Sequence, residues 1–181
     1  GRRAVTLSID VRIQNIVYEE LSQAIADFSA IGGAGMVLDA RTGEILAMVS
    51  LPDFDPNSPT AAAEEARVNS NTLGVYEMGS TFKIFNTAMA LDAGIVTLKD
   101  GFDASKPIRI GGFTISDFKA KNRYLTVPEI FMYSSNIGSA KMAATAGTEL
   151  QQHFMASLGM FKPVALELPE LGQPMYPADW K

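Results

Sequence analysis

A long amphipathic stretch that ends in glycines and runs straight into a tight hairpin limits this chain to few architectures. Asp10 stands where a helix cap belongs, and the pattern after it predicts a helix to about residue 30. Ile13, Ile16, Val17, Leu21 and Ile25 fall along one stripe of that helix. Gly32, Gly33 and Gly35 end it. They form no dinucleotide-binding fingerprint, because the strand follows these glycines instead of preceding them. Residues 35–40 and 44–50 are two apolar strands around Arg41-Thr42-Gly43, with Gly43 supplying a positive φ. Residues 4–10 alternate and are rich in β-branched side chains, which predicts a further short strand. A helix laid across the edge of an antiparallel sheet is the arrangement this order favours, in an α+β fold.

The rest of the chain is shorter in rhythm. Residues 52–59 are studded with proline and form a loop. Asp53, Asp55, Asn57 and Glu64 fall at calcium-loop spacing, but Ser58 stands where glycine is wanted and Pro56 lies between ligands, so the segment is a turn. Residues 61–68 predict a short helix. Gly79 and Ser80 open another, with Phe82, Phe85, Met89 and Ala93 at helical spacing and Gly94 breaking it. Residues 95–118 are irregular, apart from a hairpin signal of 108–110 and 113–115 around Gly111-Gly112. Thr126 and Glu129 make a capping box, with Pro128 tolerated in the first turn, so 127–133 is a short helix. Helices over 137–146 and 150–158 follow. From residue 160 to 181, Pro163, Pro169, Pro174 and Pro177 keep the chain extended.

Composition removes several kinds of function. With 181 residues, 47% of them hydrophobic and 19% charged, the chain can bury the core of an ordinary globular domain. A net charge of −5 argues against a nucleic-acid partner. Without cysteine there is no thiolate chemistry, and with His153 as the single histidine neither a zinc site nor a Ser-His-Asp triad has its material. His153 is read as a packing or surface residue. No apolar run reaches the roughly 18 residues of a membrane span, and no signal-peptide pattern follows Arg2-Arg3. A start at Gly1 instead of methionine suggests a piece of something longer.

The chemistry-bearing pattern is Gly79-Ser80-Thr81-Phe82-Lys83. Residues at i and i+3 share a helix face, so Ser80 Oγ and the Lys83 amine can meet. A hydroxyl attacks well only when a base takes its proton, and a desolvated lysine can be that base. A helix start also offers free N–H groups to an oxyanion. By itself Ser-x-x-Lys is common, and a serine near a helix start is most often a cap. A second element, Ser134-Ser135-Asn136, opens a later helical pattern, and the ordered pair is a known signature of penicillin-binding proteins and serine β-lactamases.

On these residues the chain resembles the transpeptidase domain of a class B penicillin-binding protein. Thr6-Leu7-Ser8-Ile9-Asp10 with Gln14 is similar to the family's entry into that domain. Val37-Leu38-Asp39, then Thr42 through Met48, then Pro52 and Phe54-Asp55-Pro56-Asn57 resemble its first hairpin and loop. Tyr76-Glu77-Met78-Gly79 and residues 134–141 look most like the septal, cell-division members. The resemblance covers essentially all of 1–181, as one transpeptidase domain with the penicillin-binding-protein and serine β-lactamase fold: an antiparallel sheet flanked by helices, plus a helical subdomain.

The resemblance implies the following roles. Ser80 is the nucleophile that becomes an acyl-enzyme with a peptidoglycan stem peptide ending in D-Ala-D-Ala, and its backbone N–H is half of an oxyanion hole. Lys83 takes its proton, Ser134 relays a proton to the leaving amine, and Asn136 hydrogen-bonds the substrate amide. A β-lactam acylates the same serine. It also implies no cofactor or metal, the periplasmic face of the inner membrane, an anchor outside these residues, and divisome partners including a glycan polymerase.

The family's third motif, Lys-Thr/Ser-Gly, does not occur here; the one Thr-Gly pair is Thr42-Gly43. The expectation is therefore an N-terminal portion of the domain that lacks C-terminal strands, with an exposed apolar edge and weak or no activity alone. Two alternatives share the nucleophile. A serine β-lactamase of class A would need a deacylating Glu-x-x-Leu-Asn, but the corresponding stretch is Glu167-Leu168-Pro169-Glu170-Leu171. A β-lactam sensor would acylate without transfer.

Overall fold

Asp10 caps the first helix as its position demands: its Oδ1 accepts from the Arg12 N–H at 2.9 Å, and α1 runs over Val11–Phe28. The computed structural model describes residues 4–177. Within them the chain folds as two compact units, one of residues up to Val75 together with Val164–Gln173, the other of Tyr76–Pro163 with the segment from Pro174.

In the first unit, β1 (Gly33–Leu38) and β2 (Ile45–Leu51) pair antiparallel around Gly43, whose φ is 79°. The buried residues Ala47, Val49 and Leu51 alternate along β2, the period-2 signature of a half-buried strand. Opposite them sit Gly33 and Gly35, and this explains the glycines. A Cβ on Gly33 would lie 3.0 Å from Leu21 Cδ1, and one on Gly35 would lie 3.0 Å from Val17 Cγ1. Their bare backbone lets α1 lie close against the hairpin. The Gln14 side chain completes the join, with Nε2 donating to the Met48 carbonyl and Oε1 accepting from the Met48 N–H, both at 2.8 Å. A side-chain amide thus pairs one edge position of β2 as a neighbouring strand would.

Residues 4–10 do not form the strand that their alternation predicts. They make isolated bonds to the first two residues of β2 (Ser8 Oγ to the Ile45 carbonyl at 2.7 Å, Asp10 N–H to the Leu46 carbonyl at 2.9 Å), and Val5 and Leu7 stay exposed. Ile16, at the margin of the α1 stripe, is exposed as well. The helix expected over 61–68 is two separate 3-10 turns, Pro59–Ala61 and Glu65–Arg67, because nothing there buries an apolar face. Around Asp55 the backbone turns tightly, the carboxylate accepting from the Asn57 N–H at 2.9 Å.

Among its described residues the second unit holds four α-helices: α2 (Lys83–Asp92), α3 (Val127–Met132), α4 (Asn136–Ala146) and α5 (Thr148–Ser157). Two small antiparallel pairs accompany them, β3 (Gly101–Asp103) with β6 (Tyr124–Thr126) and β4 (Ile108–Ile110) with β5 (Phe113–Ile115). The β4–β5 hairpin is where the Gly111-Gly112 signal puts it. The β3–β6 pair is not apparent in local sequence, since three-residue strands of distant segments leave no periodicity. Leu125, Val127, Ile130, Ile137 and Met142 form the core together with Ala90, Val96 and Ala104. Fully burying side chains of this size contributes about 1.5–3 kcal/mol each for the larger ones. The capping box is present: Thr126 Oγ1 accepts from the Glu129 N–H and Glu129 Oε2 accepts from the Thr126 N–H. Residues 160–177 carry no helix or strand, as their prolines require; the expectation for 178–181 lies outside the described residues. His153 is exposed on α5.

The fold is α+β with antiparallel pairing throughout, and the three strand pairs are separate two-stranded sheets among the described residues.

Candidate active site

Ser80 does not sit in the first turn of the α-helix, as its spacing predicts, but on a 3-10 turn, Gly79–Phe82, that leads into α2. Gly79 enters that turn at φ 55°, which glycine adopts without a Cβ penalty. Of the expected stripe Met89 is buried and Phe85 half-buried, whereas Phe82 and Ala93, which lie just outside α2, are exposed; Thr87 and Ala90 are buried and Lys83 is half-buried on the same helix. Ser80 itself is exposed and its side chain still reaches Lys83: Nζ to Oγ is 3.2 Å.

The second element arrives from the turn between α3 and α4. Ser134 has φ 53°, a left-handed conformation that costs a non-glycine residue about 1–2 kcal/mol. Ser135, not Ser134, is the N-cap of α4, its Oγ accepting from the Gly138 N–H at 2.9 Å. Ser134 is thereby left free of capping duty and exposed, with its carbonyl and hydroxyl both turned to Lys83.

Three of the residues singled out from sequence, Ser80, Ser134 and Asn136, converge on the amine of the fourth, Lys83. Lys83 Nζ lies 2.6 Å from the Ser134 carbonyl oxygen, 3.0 Å from Ser134 Oγ and 2.6 Å from Asn136 Oδ1, besides its contact with Ser80. An ammonium has three protons for these four acceptors. Burial pushes the Lys83 amine below the ordinary lysine value, and the Asp117 carboxylate opposes that shift. A lysine so placed loses its proton more readily and can take one from either flanking hydroxyl.

Asn136 is used within the protein at both ends of its carboxamide. Oδ1 faces Lys83, and Nδ2 donates to the Ser116 carbonyl at 2.9 Å. One N–H and one lone pair remain for a substrate. Asp117 and Ser135 join the cluster without having been singled out from sequence. Asp117 accepts from Ser135 Oγ at 2.8 Å and from the Ile137 N–H at 2.9 Å. Ser135 had a local signal, since a serine opening an apolar helical pattern is a cap. Asp117 had none, because its contacts span a loop and two elements. No cluster of histidine, cysteine and carboxylate residues able to hold a metal occurs among the described residues.

Comparison with known proteins identifies the family. Residues 33–180 match the family model of the penicillin-binding protein transpeptidase domain. The chain belongs to that family. It is 42% identical over 174 residues to the probable peptidoglycan D,D-transpeptidase FtsI of Caulobacter vibrioides, covering 96% of this chain and 30% of that protein. Its fold is similar to a crystal structure of a peptidoglycan glycosyltransferase from Burkholderia ambifaria (TM-score 0.83, 32% identity), covering 97% of this chain and 52% of that one. It is also similar to the apo transpeptidase domain of penicillin-binding protein 3 from Burkholderia pseudomallei, with TM-score 0.79 and 31% identity, over 95% of this chain and 48% of that one. The chain thus spans less than a third of that curated relative and about half of each solved structure.

Proposed function

We propose that this chain carries the acylation centre of a peptidoglycan D,D-transpeptidase that cross-links stem peptides and is a target of β-lactams. The observation that carries the reading is one amine, Lys83 Nζ, within hydrogen-bonding reach of two exposed hydroxyls, Ser80 Oγ at 3.2 Å and Ser134 Oγ at 3.0 Å.

Ser80 Oγ attacks the carbonyl carbon of the penultimate D-Ala while its proton passes to Lys83. The carbon–nitrogen bond to the terminal D-Ala breaks, and the departing amine takes a proton delivered from Lys83 through Ser134. The acyl group on Ser80 is then transferred to the amine of a second stem peptide, which restores the free serine. Asn136 holds the substrate amide with its remaining hydrogen-bond capacity, and the Ser80 backbone N–H stabilises the oxyanion. A β-lactam enters the same first step. These roles need no cofactor.

The family and the FtsI likeness support an enzyme of the cell wall. We place it further at the periplasmic face of the inner membrane, in septal synthesis, working beside divisome proteins that include a glycan polymerase. Among the described residues no helix is long and apolar enough to cross a membrane. The test is cross-linking by the full-length protein of a peptidoglycan substrate bearing D-Ala-D-Ala. Dimeric stem peptides with release of D-Ala are expected from wild type and not from Ser80→Ala. Equal product from both proteins would contradict the reading.

A further inference from the structure

The sequence Ser116-Asp117, directly after β5, has no part in the proton transfers above, yet it bonds to three consecutive residues of the turn that carries Ser134, namely Ser135, Asn136 and Ile137. Asp117 Oδ2 accepts from Ser135 Oγ at 2.8 Å, its Oδ1 accepts from the Ile137 N–H at 2.9 Å, and the Ser116 carbonyl accepts from Asn136 Nδ2 at 2.9 Å. Directly before these anchored residues stands Ser134, in a left-handed conformation that its own side chain does not favour. Ser135 is buried and Asp117 half-buried, so the bonds are not loosened by free exchange with water.

We propose that Asp117 is a positioning residue for the acylation centre, its carboxylate clamping the 134–137 turn so that the Ser134 carbonyl, Ser134 Oγ and Asn136 Oδ1 all face the Lys83 amine. This rests on the function proposed above. The two carboxylate oxygens hold consecutive parts of the turn, one through a side chain and one through the backbone, which fixes both where α4 begins and how Ser134 enters it. The Ser116 carbonyl fixes the Asn136 amide, so that its oxygen and not its nitrogen points at Lys83. Without the clamp the turn can relax toward an unstrained backbone, and that swings the Ser134 carbonyl off the amine.

Asp117 also acts through charge. The elements packed on α2 bear other charged groups: Glu129 on α3 is engaged by Arg123, Lys141 on α4 donates to the Asp103 carbonyl, and α5 carries Glu149 and His153. The charge that acts on Lys83 is that of Asp117, which favours the ammonium.

The test is the second-order rate of acylation of the full-length protein by a fluorescent penicillin, followed against pH. Asp117→Asn is expected to lower the plateau rate by about 10²-fold, the scale of a misplaced catalytic group. It is also expected to move the acid limb to lower pH, since loss of the carboxylate lowers the proton affinity of Lys83. Ser135→Ala keeps the charge and removes one clamp bond, so it should lower the rate and leave the acid limb in place. A merely structural Asp117 would shift the melting temperature alone. An Asp117→Asn protein with the wild-type rate or an unmoved acid limb overturns the proposal. Should Asp117→Asn not fold, Ser135→Ala decides: a folded variant with the wild-type rate overturns the clamp. Wild-type protein that takes up no penicillin refutes the proposed function itself, a separate result visible before any variant is compared.

Discussion

Lys83 Nζ lies 2.6 Å from Asn136 Oδ1, joining the start of α2 to the start of α4 through one polar contact between residues far apart in sequence. Around that contact gather the hydroxyls of Ser80 and Ser134 and the carbonyl of Ser134, whose backbone is left-handed.

Replacing Lys83 with methionine keeps the length of the stem and removes the base. The rate of acylation by a penicillin should fall by about 10²–10⁴-fold, the usual worth of a general base. A stopped-flow or gel-based rate on purified variants measures it, and a variant within a fewfold of wild type would remove Lys83 from the mechanism.

The same amine gives a pH signature in stability. Its folded-state pKa is depressed below 10.5 by burial, so the unfolded chain holds the proton at pH values where the folded protein has released it. The contribution to stability therefore rises with pH from the folded value up to 10.5. Lys83→Met should abolish that rise, read from chemical denaturation at a series of alkaline pH values.

At the acid end the sign is opposite. Arg123, 2.7 Å from Glu129, holds the Glu129 carboxyl at about 2, well below its ordinary 4.5. The stabilisation is complete above 4.5 and is lost as pH falls toward about 2. Melting temperature should drop across that interval less steeply in Glu129→Gln than in wild type.

Gly138 faces Ile130 across the α3–α4 contact, and a Cβ there would lie 2.6 Å from Ile130 Cγ1 and 2.8 Å from its Cδ1. Ile130 is fully buried within the core cluster. Gly138→Ala should destabilise by about 1–3 kcal/mol, the range for overpacking, in spite of alanine's better helix propensity. Pairing it with Ile130→Ala, which opens the space, should cost less than the sum of the two single changes in a denaturation cycle.

Gln14→Ala breaks both bonds between the α1 side chain and the Met48 backbone. A loss of about 1–3 kcal/mol is expected for two such bonds, measured by urea denaturation.

How much of this could be read from sequence follows from the range of each interaction. The α1 cap at Asp10, the Gly43 hairpin, the Thr126–Glu129 box and the α4 start are set within a few residues, and the patterns located them. Ser80, Lys83, Ser134 and Asn136 were found as two motifs, and the structure brings the other three to the Lys83 amine. What local pattern did not carry is tertiary. Residues 4–10 alternate like a strand but meet the start of β2 through isolated bonds from Ser8 and Asp10. Ser80 winds onto a 3-10 turn, and Phe82 at its end is exposed. Asp117 reaches Ser135 and Ile137 from the segment after β5, and no spacing rule connects them.

The most direct test is the mass of the intact full-length protein after incubation with a penicillin, followed by peptide mapping, beside a Ser80→Ala control. The account predicts a stable adduct of one penicillin on wild type, located on the peptide containing Ser80, and none on the variant. An adduct on Ser80→Ala, or unmodified wild-type protein, would contradict it.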